Sequence, residues 1–421
     1  MPRAPQQHLV DWLAAALVGA LLLWASNLLV APATVPFAGH GERFAAMVDH
    51  PLAFTGDFPQ RVLWPLLAHV AGWFGLGPVG FSQLCSGALL TVVCWFARRR
   101  GLGWFDAVLL TAAVAGTGAV QVYKPITCMS DSLNLLLMVA MVAVAARRTW
   151  LWGLVVLASF SHETVFFFAP WLLWLRMRTG ARLRGELPWL GAAVVVHVAW
   201  RMVVTAQGGG GSYGFWYYLT HNFWVPWLLP ALWFLWLLVA FAEFGPLLVL
   251  LVWSARERRD VAIGTGLFVA CVLVFMVLAY DVMRWVAFLV VPVVVAGSEL
   301  LARGRGRAVF MGLALGAIGV HVWQHPSTAL TGGSTFTHVG PSAFGRVAQL
   351  AGQGKVKEAE PMTLADAWWV TRESCAEHWF VVLVVVLATL ATTVLGVLLV
   401  RYVGTASAAG STPRTTPNAS P

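Results

Sequence analysis

The sequence predicts an all-α polytopic membrane protein with about 10–12 transmembrane helices. Of its 421 residues, 59% are hydrophobic and only 11% are charged, whereas soluble domains carry about 25% charged residues. Apolar runs close to the 20 or so residues that cross a bilayer recur along the chain, and short basic clusters separate several of them. These observations exclude a single water-soluble domain, a disordered chain and a disulfide scaffold.

Ten apolar runs are predicted to span the membrane: 11–31, 78–97, 104–122, 132–146, 186–205, 231–253, 261–280, 285–302, 308–322 and 380–400. They divide the chain into a transmembrane domain over 1–322, which includes an outer loop at 32–77, and an extracytoplasmic loop or cap over 323–379. A final transmembrane helix at 380–402 and a disordered cytoplasmic tail at 403–421, rich in Ser, Thr, Ala and Pro, complete the chain.

The basic residues orient the chain. Cytoplasmic loops concentrate Lys and Arg, so the five clusters are assigned to the cytoplasmic side of a plasma (inner) membrane, together with both termini. With this topology 18 of the 27 basic residues lie inside and 11 of the 18 acidic residues lie outside. The net charge of +9 therefore reflects topology, and it does not indicate a nucleic-acid partner. The clusters are Arg98–Arg100, Arg147–Arg148, Arg176 to Arg184, Arg256 to Arg259 and Arg303 to Arg307.

Segment 149–175 does not fit a simple alternation, because both of its flanks are basic. Two half-length helices meeting at Ser161-His162-Glu163-Thr164 would enter and leave on the cytoplasmic side. Such a break is tolerated where the irregular backbone is buried in protein or lines a cavity. The alternative is one full span, which would invert the topology of everything downstream.

The outer loop concentrates rare charges. Its pattern predicts two short amphipathic helices, one from Glu42 to Val48 and one over 61–75, lying on the membrane surface. Seven ionisable residues gather within 22 positions between and around them: His40, Glu42, Arg43, Asp49, His50, Asp57 and Arg61. A solvated loop with mutually paired charges is the alternative interpretation.

Further ionisable residues stand at the predicted outer ends of spans: Lys124, Asp131, the pair His162 and Glu163, and the pair Asp281 and Arg284. Ser130 is predicted to be the N-cap of the span that Asp131 opens. Structural roles stay open for each of them, such as Asp131 complementing a helix dipole or Asp281 pairing with Arg284. Taken together, these groups predict a cavity open to the outer face.

That set of side chains suits transfer chemistry. A carboxylate can act as a general base towards a hydroxyl, and cations beside it can stabilise a phosphate leaving group. Histidines and carboxylates can also hold a divalent metal, but no motif here specifies a metal or any other cofactor. The five cysteines include no CxxC pair.

The order of these features over roughly 11–300 resembles the polytopic glycosyltransferases of the C-type fold (GT-C), which use polyprenyl-phosphate-linked sugars. The motifs that carry the resemblance are Glu42-Arg43-Phe44, Arg61-Val62-Leu63-Trp64-Pro65-Leu66-Leu67, Ser130-Asp131-Ser132-Leu133, Ser161-His162-Glu163-Thr164 and the stretch Asp281 to Arg284. Two positions depart from the family pattern: His40 stands where many members have an acidic residue, and His162 replaces a usual Arg.

The resemblance implies an inverting transfer with Glu42 as the catalytic base and Asp57 as its reserve, to an acceptor that the sequence does not identify. Arg61, Lys124 and Arg284 would hold the lipid phosphate. The full candidate site comprises Glu42, Asp57, Asp131, His162 and Glu163 as catalytic residues, and Arg43, Arg61, Lys124, Asp281 and Arg284 as substrate-binding residues.

Two other functions remain open. A multi-pass transporter or lipid flippase would also place a His/Glu site at a broken helix pair, although no internal repeat is evident. A membrane protein whose charged outer loop docks a partner is the other alternative.

Overall fold

The computed structural model describes residues 5–37, 40–54, 58–124, 127–209, and 240–330 without 242, 258, 280–284 and 303–305, together with five positions between 387 and 398. The regular elements in these residues are helices, and none of the described residues lies in a β-strand. The helices are α1 (Pro5–Leu29), α2 (His40–Met47), α3 (Leu63–Gly72), α4 (Pro78–Arg99), α5 (Trp104–Ala115), α6 (Gly118–Gln121), α7 (Asp131–Val144), α8 (Arg148–Ser161), α9 (Ala169–Arg178), α10 (Leu183–Ala206), α11 (Val249–Glu257), α12 (Arg259–Ala279), α13 (Val290–Ala302) and α14 (Arg307–Leu330). Short 3-10 turns at Glu163–Phe168, Gly245–Leu248 and Ala287–Leu289 lead into α9, α11 and α13.

Three of these helices are long and apolar enough to cross a membrane: Gln6–Leu29, Pro78–Arg99 and Leu183–Ala206. They correspond to three of the predicted spans and indicate a membrane protein. On α1 large apolar side chains remain exposed, as expected for a surface that faces lipid; they include Leu13, Leu17, Leu21 and Leu28, each more than half exposed.

Helices α1 and α4 pack against each other in antiparallel orientation. Near one end Asn27 donates to Gln83 (Nδ2 to Oε1, 3.3 Å), and near the other Arg98 donates to Asp11 (Nη2 to Oδ1, 3.5 Å). Between these contacts the backbones approach closely at Gly19, where a Cβ atom would lie 2.5 Å from the hydroxyl oxygen of Thr91. Small residues permit this kind of approach between membrane helices.

Several predicted spans differ from the helices of the structure. The run 104–122 is a helix only as far as Ala115, and a separate short helix, Gly118–Gln121, follows it. The break falls at Gly116-Thr117-Gly118, where Thr117 is extended (φ −102°, ψ 166°) because glycine on both sides weakens the helix. Predicted span 231–253 is described from residue 240 onwards without 242, and there it is not one continuous helix, because a 3-10 turn at Gly245–Leu248 precedes α11, which continues past the predicted end to Glu257. Predicted span 380–400 lies largely outside the described residues, as do the predicted cap beyond residue 330 and the tail. Helix α14 continues to Leu330, past the predicted end at 322.

The two helices predicted in the outer loop are confirmed as α2 and α3. Helix α2 buries Phe44 and Met47 and leaves Glu42 and Arg43 exposed. This is the one-sided pattern on which the prediction depended. The buried face of α2 thus fixes the loop that carries the predicted site residues.

Segment 149–175 is broken where the sequence predicted. Helix α8 ends at Ser161, His162 is extended (φ −163°, ψ 128°), and a 3-10 turn leads into α9. The two far ends of the segment meet: Arg176 near the end of α9 donates to the carbonyl of Ala145 (2.5 Å), immediately before α8. Because a continuous helix over these residues would separate its ends by about 40 Å, this contact supports the hairpin and not the single span.

Described arginines from four of the five clusters gather at one end of the molecule, which we call the arginine-rich end. Five buried or half-buried carboxylates bind arginines of other helices there; Glu299 and Glu186 each bind two, and one of these contacts joins Arg100 to Glu299. The others are Arg98 with Asp11, Arg178 with Asp260 and Glu299, Arg307 with Asp106, and both Arg148 and Arg176 with Glu186. This arrangement agrees with assigning the clusters to one side of a membrane.

We expect cysteine labelling to separate the two ends of the molecule. In a Cys375→Ser background, where the four described cysteines are buried, a membrane-impermeant maleimide added to intact cells should label Thr34→Cys but not Arg182→Cys, since both positions are exposed at opposite ends of the helices. Permeabilised cells provide the control, in which both positions should react. Equal reaction of both positions in intact cells would contradict the hairpin topology.

Candidate functional site

An aromatic cluster in segment 32–77, the predicted outer loop, positions Arg61. The ring of Phe44, on α2, stacks on Phe58 (6.0 Å between centroids) and meets Trp64 of α3 edge-on (6.1 Å). The guanidinium of Arg61 lies over the ring of Phe58, 4.3 Å from its centroid. Burial of these rings and the cation–π contact hold the arginine against the loop.

Arg61 binds Glu163 through two parallel hydrogen bonds. Its Nε donates to Oε2 (3.1 Å) and its Nη2 to Oε1 (2.8 Å) of Glu163, which is 102 positions away in the sequence. The side chains are 10% and 26% exposed, respectively, so the pair is largely shielded yet reachable. A bidentate pair of this kind is short, strong and geometrically specific.

The helix break brings His162 beside this pair. Its Nδ1 accepts a hydrogen bond from the backbone N–H of Thr164 (3.4 Å) and lies 3.7 Å from Oε2 of Glu163. The buried ring of His162 meets the indole of Trp285 edge-on at 5.4 Å. Because the ring accepts at Nδ1, its proton resides on Nε2 in the neutral form.

Helix α10 closes the other side. The indole N–H of Trp200 donates to the carbonyl of Gln60 (3.0 Å), next to Arg61, and its ring contacts Phe54 and Phe160 at 5.4 and 5.5 Å. One turn earlier, the ring of His197 packs 5.2 Å from the ring of Phe166, in the 3-10 turn that begins at Glu163. The outer loop, the helix break and α10 therefore converge on one place, which we call the Arg61–Glu163 site.

Of the predicted site residues, the structure brings Arg61, His162 and Glu163 together. Glu42 and Arg43 lie on the exposed face of α2, and Asp131 is fully buried at the start of α7. The predictions for Asp57, Asp281 and Arg284 fall outside the described residues. Ser130 precedes α7 as predicted, but its side chain makes no capping hydrogen bond and its hydroxyl is buried.

Lys124 forms hydrogen bonds with the end of α1. Its ammonium donates to the carbonyl and the hydroxyl of Ser26 (2.6 and 2.8 Å) and to the carbonyl of Val30 (3.0 Å). These oxygens lie at the carboxyl end of α1, where a cation is favoured by the helix dipole. Since all three ammonium hydrogens have acceptors, the contacts of Lys124 in the structure are those of a helix cap, and its phosphate-holding role stays a prediction.

Three residues of the Arg61–Glu163 site were not predicted: His197, Trp200 and Trp285. His197 and Trp200 are three positions apart, so they share one face of α10. In the sequence, this pair could have been recognised as a polar and an amphipathic side chain on one face of a predicted span.

We expect Lys124 to make stability depend on pH in the alkaline range. Burial lowers the pKa of its ammonium to about 8 from 10.5, so between these values the unfolded chain binds more protons than the folded chain. Stability should therefore rise with pH in that window, by up to about 3 kcal/mol.

The measurement is thermal unfolding of the detergent-purified wild type and Lys124→Met from pH 7 to pH 10.5. The difference between the two proteins should change only above about pH 8, because tyrosine titration is common to both. Parallel curves would contradict the buried-ammonium interpretation.

No family model, curated protein or solved structure matches this chain. The fold and the site thus define a class of protein: a helical membrane protein with a shielded Arg–Glu–His group at a helix break. The chemistry of that group suggests a function for the protein.

Proposed function

We propose that this protein is a GT-C-like glycosyltransferase of the plasma (inner) membrane, with ten to twelve spans and a cytoplasmic arginine-rich end. It would move a sugar from a polyprenyl-phosphate donor to an acceptor on the extracytoplasmic face. The observation that carries the proposal is the bidentate Arg61–Glu163 pair, shielded but reachable, beside His162.

The arginine fork is matched to phosphate as well as to carboxylate. In the structure Glu163 occupies the fork of Arg61. A lipid phosphate entering the site would take over those two hydrogen bonds and displace the carboxylate. The carboxylate of Glu163 lies 3.7 Å from Nδ1 of His162 and pairs with that ring when the ring is protonated.

In the proposed reaction the acceptor oxygen bonds to the anomeric carbon while the bond from that carbon to the phosphate oxygen breaks, with inversion. Glu42, on the loop that also carries Arg61, takes the acceptor proton, with Asp57 as its reserve. The leaving polyprenyl phosphate retains the electron pair, and Arg61 stabilises the charge that develops on it. The half-buried ring of Trp200 gives the site an aromatic surface suited to a sugar ring.

The test measures polyprenyl phosphate, the product common to every donor sugar and acceptor. Purified protein in liposomes is given a panel of polyprenyl-phosphate sugars together with membrane-extract acceptors. Glu42→Gln should abolish release, and Arg61→Lys, which keeps the charge but loses the fork, should raise the KM for donor about tenfold or more. Arg201→Gln, at an exposed arginine near the end of α10, is the matched control and should behave like the wild type.

One observation favours a second function. His162 and Glu163 stand at a break between helices of 14 and 10 residues, and broken helices of this kind hold substrates or ions in transporters. A transporter or flippase would exchange labelled solute or lipid across liposomes without releasing polyprenyl phosphate. Such exchange, lost in Glu163→Gln and retained in Glu42→Gln, would replace the transferase proposal.

A further inference from the structure

An uncharged stretch extends from Arg61 to the basic end of α4. Residues 62–97 contain no Asp, Glu, Lys or Arg, although 11% of the whole chain is charged. The membrane-spanning helix α4 accounts for this stretch only from Pro78 onwards, and α3 with the turn after it accounts for the rest. Helix α3 has 10 residues and is therefore about 15 Å long, which is half of the roughly 30 Å of hydrocarbon that a span must cross. Its lack of charge does not mark a further span and has another cause.

Helix α3 is apolar on both of its sides. One side packs into the protein and buries Trp64 and Ala68, while the other side leaves Leu67 exposed. The one ionisable side chain of α3, His69, is turned back onto the protein, where its Nδ1–H donates to the carbonyl of Val48 (2.8 Å). A helix at a water surface carries polar side chains on its exposed side, as α2 does, so α3 lacks the side that would face water.

The turn after α3 exposes large apolar side chains. Trp73 is 72% exposed and Phe74 is 80% exposed, and Leu76 beside them is exposed as well. The space around the turn is open, because a Cβ atom added at Gly72 or Gly77 would meet nothing within 4 Å. In water this turn would present a continuous apolar patch, and such patches mark sites that bind a partner or a membrane.

The backbone of the turn provides the hydrogen-bond partners for its own donors. The N–H groups of residues 73–76 all donate to carbonyls in the last turn of α3, at 3.0–3.1 Å. Gly75 has a positive φ (80°) and closes the end of the helix as in a Schellman motif, and Pro78 has no N–H group. Lipid offers no partner to a backbone donor. A turn that enters a membrane must therefore satisfy its donors internally, and this turn does so.

The position of the turn in the fold identifies its surroundings. The turn lies directly before Pro78, where the membrane-spanning helix α4 begins, and Arg98 and Arg99 lie at the opposite end of that helix. The two ends of a span lie at the membrane–water interfaces, where Trp is enriched. Exposed rings at this position therefore meet lipid head groups and the adjoining part of the acyl chains.

We propose that the rings of Trp73 and Phe74 insert into the membrane leaflet opposite the arginine-rich end and anchor the segment that carries Arg61 to the lipid. Helix α3 makes the connection, because it begins two residues after Arg61 and its Trp64 belongs to the aromatic cluster that positions that arginine. The anchor binds the lipid surface and does not select one lipid species. It does not depend on the proposed transferase activity.

The test places nitroxide labels beside the rings and measures their depth in phosphatidylcholine liposomes. In the Cys375→Ser background, where the four described cysteines are buried, Gly72→Cys and Gly77→Cys provide labelling sites with open space around them. Two more sites are references: Ala46→Cys, on the exposed side of α2, for water, and Leu17→Cys, exposed in the middle of α1, for hydrocarbon.

Collisions with oxygen, which concentrates in hydrocarbon, and with a water-soluble nickel chelate report the depth of each label. The ratio of oxygen to nickel collisions at Gly72 and Gly77 should be several-fold higher than at Ala46 and lower than at Leu17, as expected at the boundary of head groups and chains. A ratio equal to that at Ala46 would place the turn in water and overturn the proposal. Low collision rates with both reagents would mean that protein covers the turn, either another segment or a second copy of the chain, and would also overturn it.

A double variant tests whether the rings hold the segment. Trp73→Ser with Phe74→Ser removes both rings and keeps the backbone of the turn. The label at Gly77 should then move towards the water reference, and hydrogen exchange of residues 63–72 in liposomes should become several-fold faster, because α3 loses its attachment. Trp150→Ser, at a 62% exposed ring near the arginine-rich end, is the matched control and should change neither measurement.

Unchanged depth and unchanged exchange in the double variant would disprove the anchor. Neither measurement uses activity, so failure of the anchor is distinguishable from failure of the proposed transferase.

Discussion

Replacing Arg61 by glutamine is expected to destabilise the fold by about 3 kcal/mol, because it leaves the shielded carboxylate of Glu163 without its bidentate partner. Glu163→Gln should cost less, since the cation–π contact with Phe58 still holds the guanidinium. The double variant removes both charges and should recover part of the loss. A coupling energy of about 2 kcal/mol is therefore expected from the double-mutant cycle.

The cycle is measured by unfolding in detergent, with Arg201→Gln as the control for loss of an exposed arginine. Strict additivity of the two single variants would contradict a direct interaction. Activity separates structure from chemistry: if the double variant recovers stability and yet releases no polyprenyl phosphate, Arg61 has a role in the reaction besides its role in the fold. If the double variant recovered both stability and activity in full, Arg61 would have only a structural role.

Scarcity of charge made Arg61, His162 and Glu163 predictable as site residues, since few ionisable groups stand outside the basic clusters. Their grouping was not predictable in detail, because it depends on the loop after α2 folding back onto a helix break 102 positions away. Lys124 shows the opposite case. Its local sequence resembles that of a site residue, and its contacts depend on the neighbouring helix α1, whose last carbonyls lie beside its ammonium.

The fold was predictable where flanking signals supported the hydropathy. Basic flanks on both sides of 149–175 predicted a hairpin, and the contact between Arg176 and Ala145 agrees with it. Within 104–122 the continuous apolar run gave no sign of the break at Gly116-Thr117-Gly118, although glycine often interrupts a helix. Hydropathy measures burial in hydrocarbon or in protein alike, so it does not locate the end of a helix.

Helix α10 provides the residue that holds the hairpin closed at the arginine-rich end. Glu186, fully buried in its first turn, accepts from Nε of Arg148 (3.0 Å), from Nη2 of Arg176 (3.0 Å) and from the indole N–H of Trp152 (2.8 Å). Arg148 and Trp152 belong to α8 and Arg176 to α9. One carboxylate therefore ties together both ends of the hairpin.

Glu186→Ala is expected to destabilise the protein by about 3–5 kcal/mol, because it leaves the buried guanidinium of Arg176 without its partner. Trp152→Phe removes a single hydrogen bond to a charged group and should cost about 1.5–3 kcal/mol. Arg148→Ala should have the smallest effect, since that side chain is 42% exposed and exposed ion pairs contribute about 0–1 kcal/mol. Unfolding in detergent measures this order, and equal losses from Arg148→Ala and Glu186→Ala would contradict it.

Glu186→Ala should also alter the Arg61–Glu163 site. Helix α8 is 14 residues long, so the break at His162 lies about 21 Å along the helix from Arg148, which Glu186 binds, and the break depends on the hairpin for its position. Trp152→Phe keeps both ion pairs and should preserve activity, whereas Glu186→Ala should reduce it at temperatures where the protein remains folded. If Glu186→Ala lowered stability and left activity intact, the position of the break would be set by the contacts of Arg61 and Trp285 alone, and the hairpin would serve only to anchor the fold.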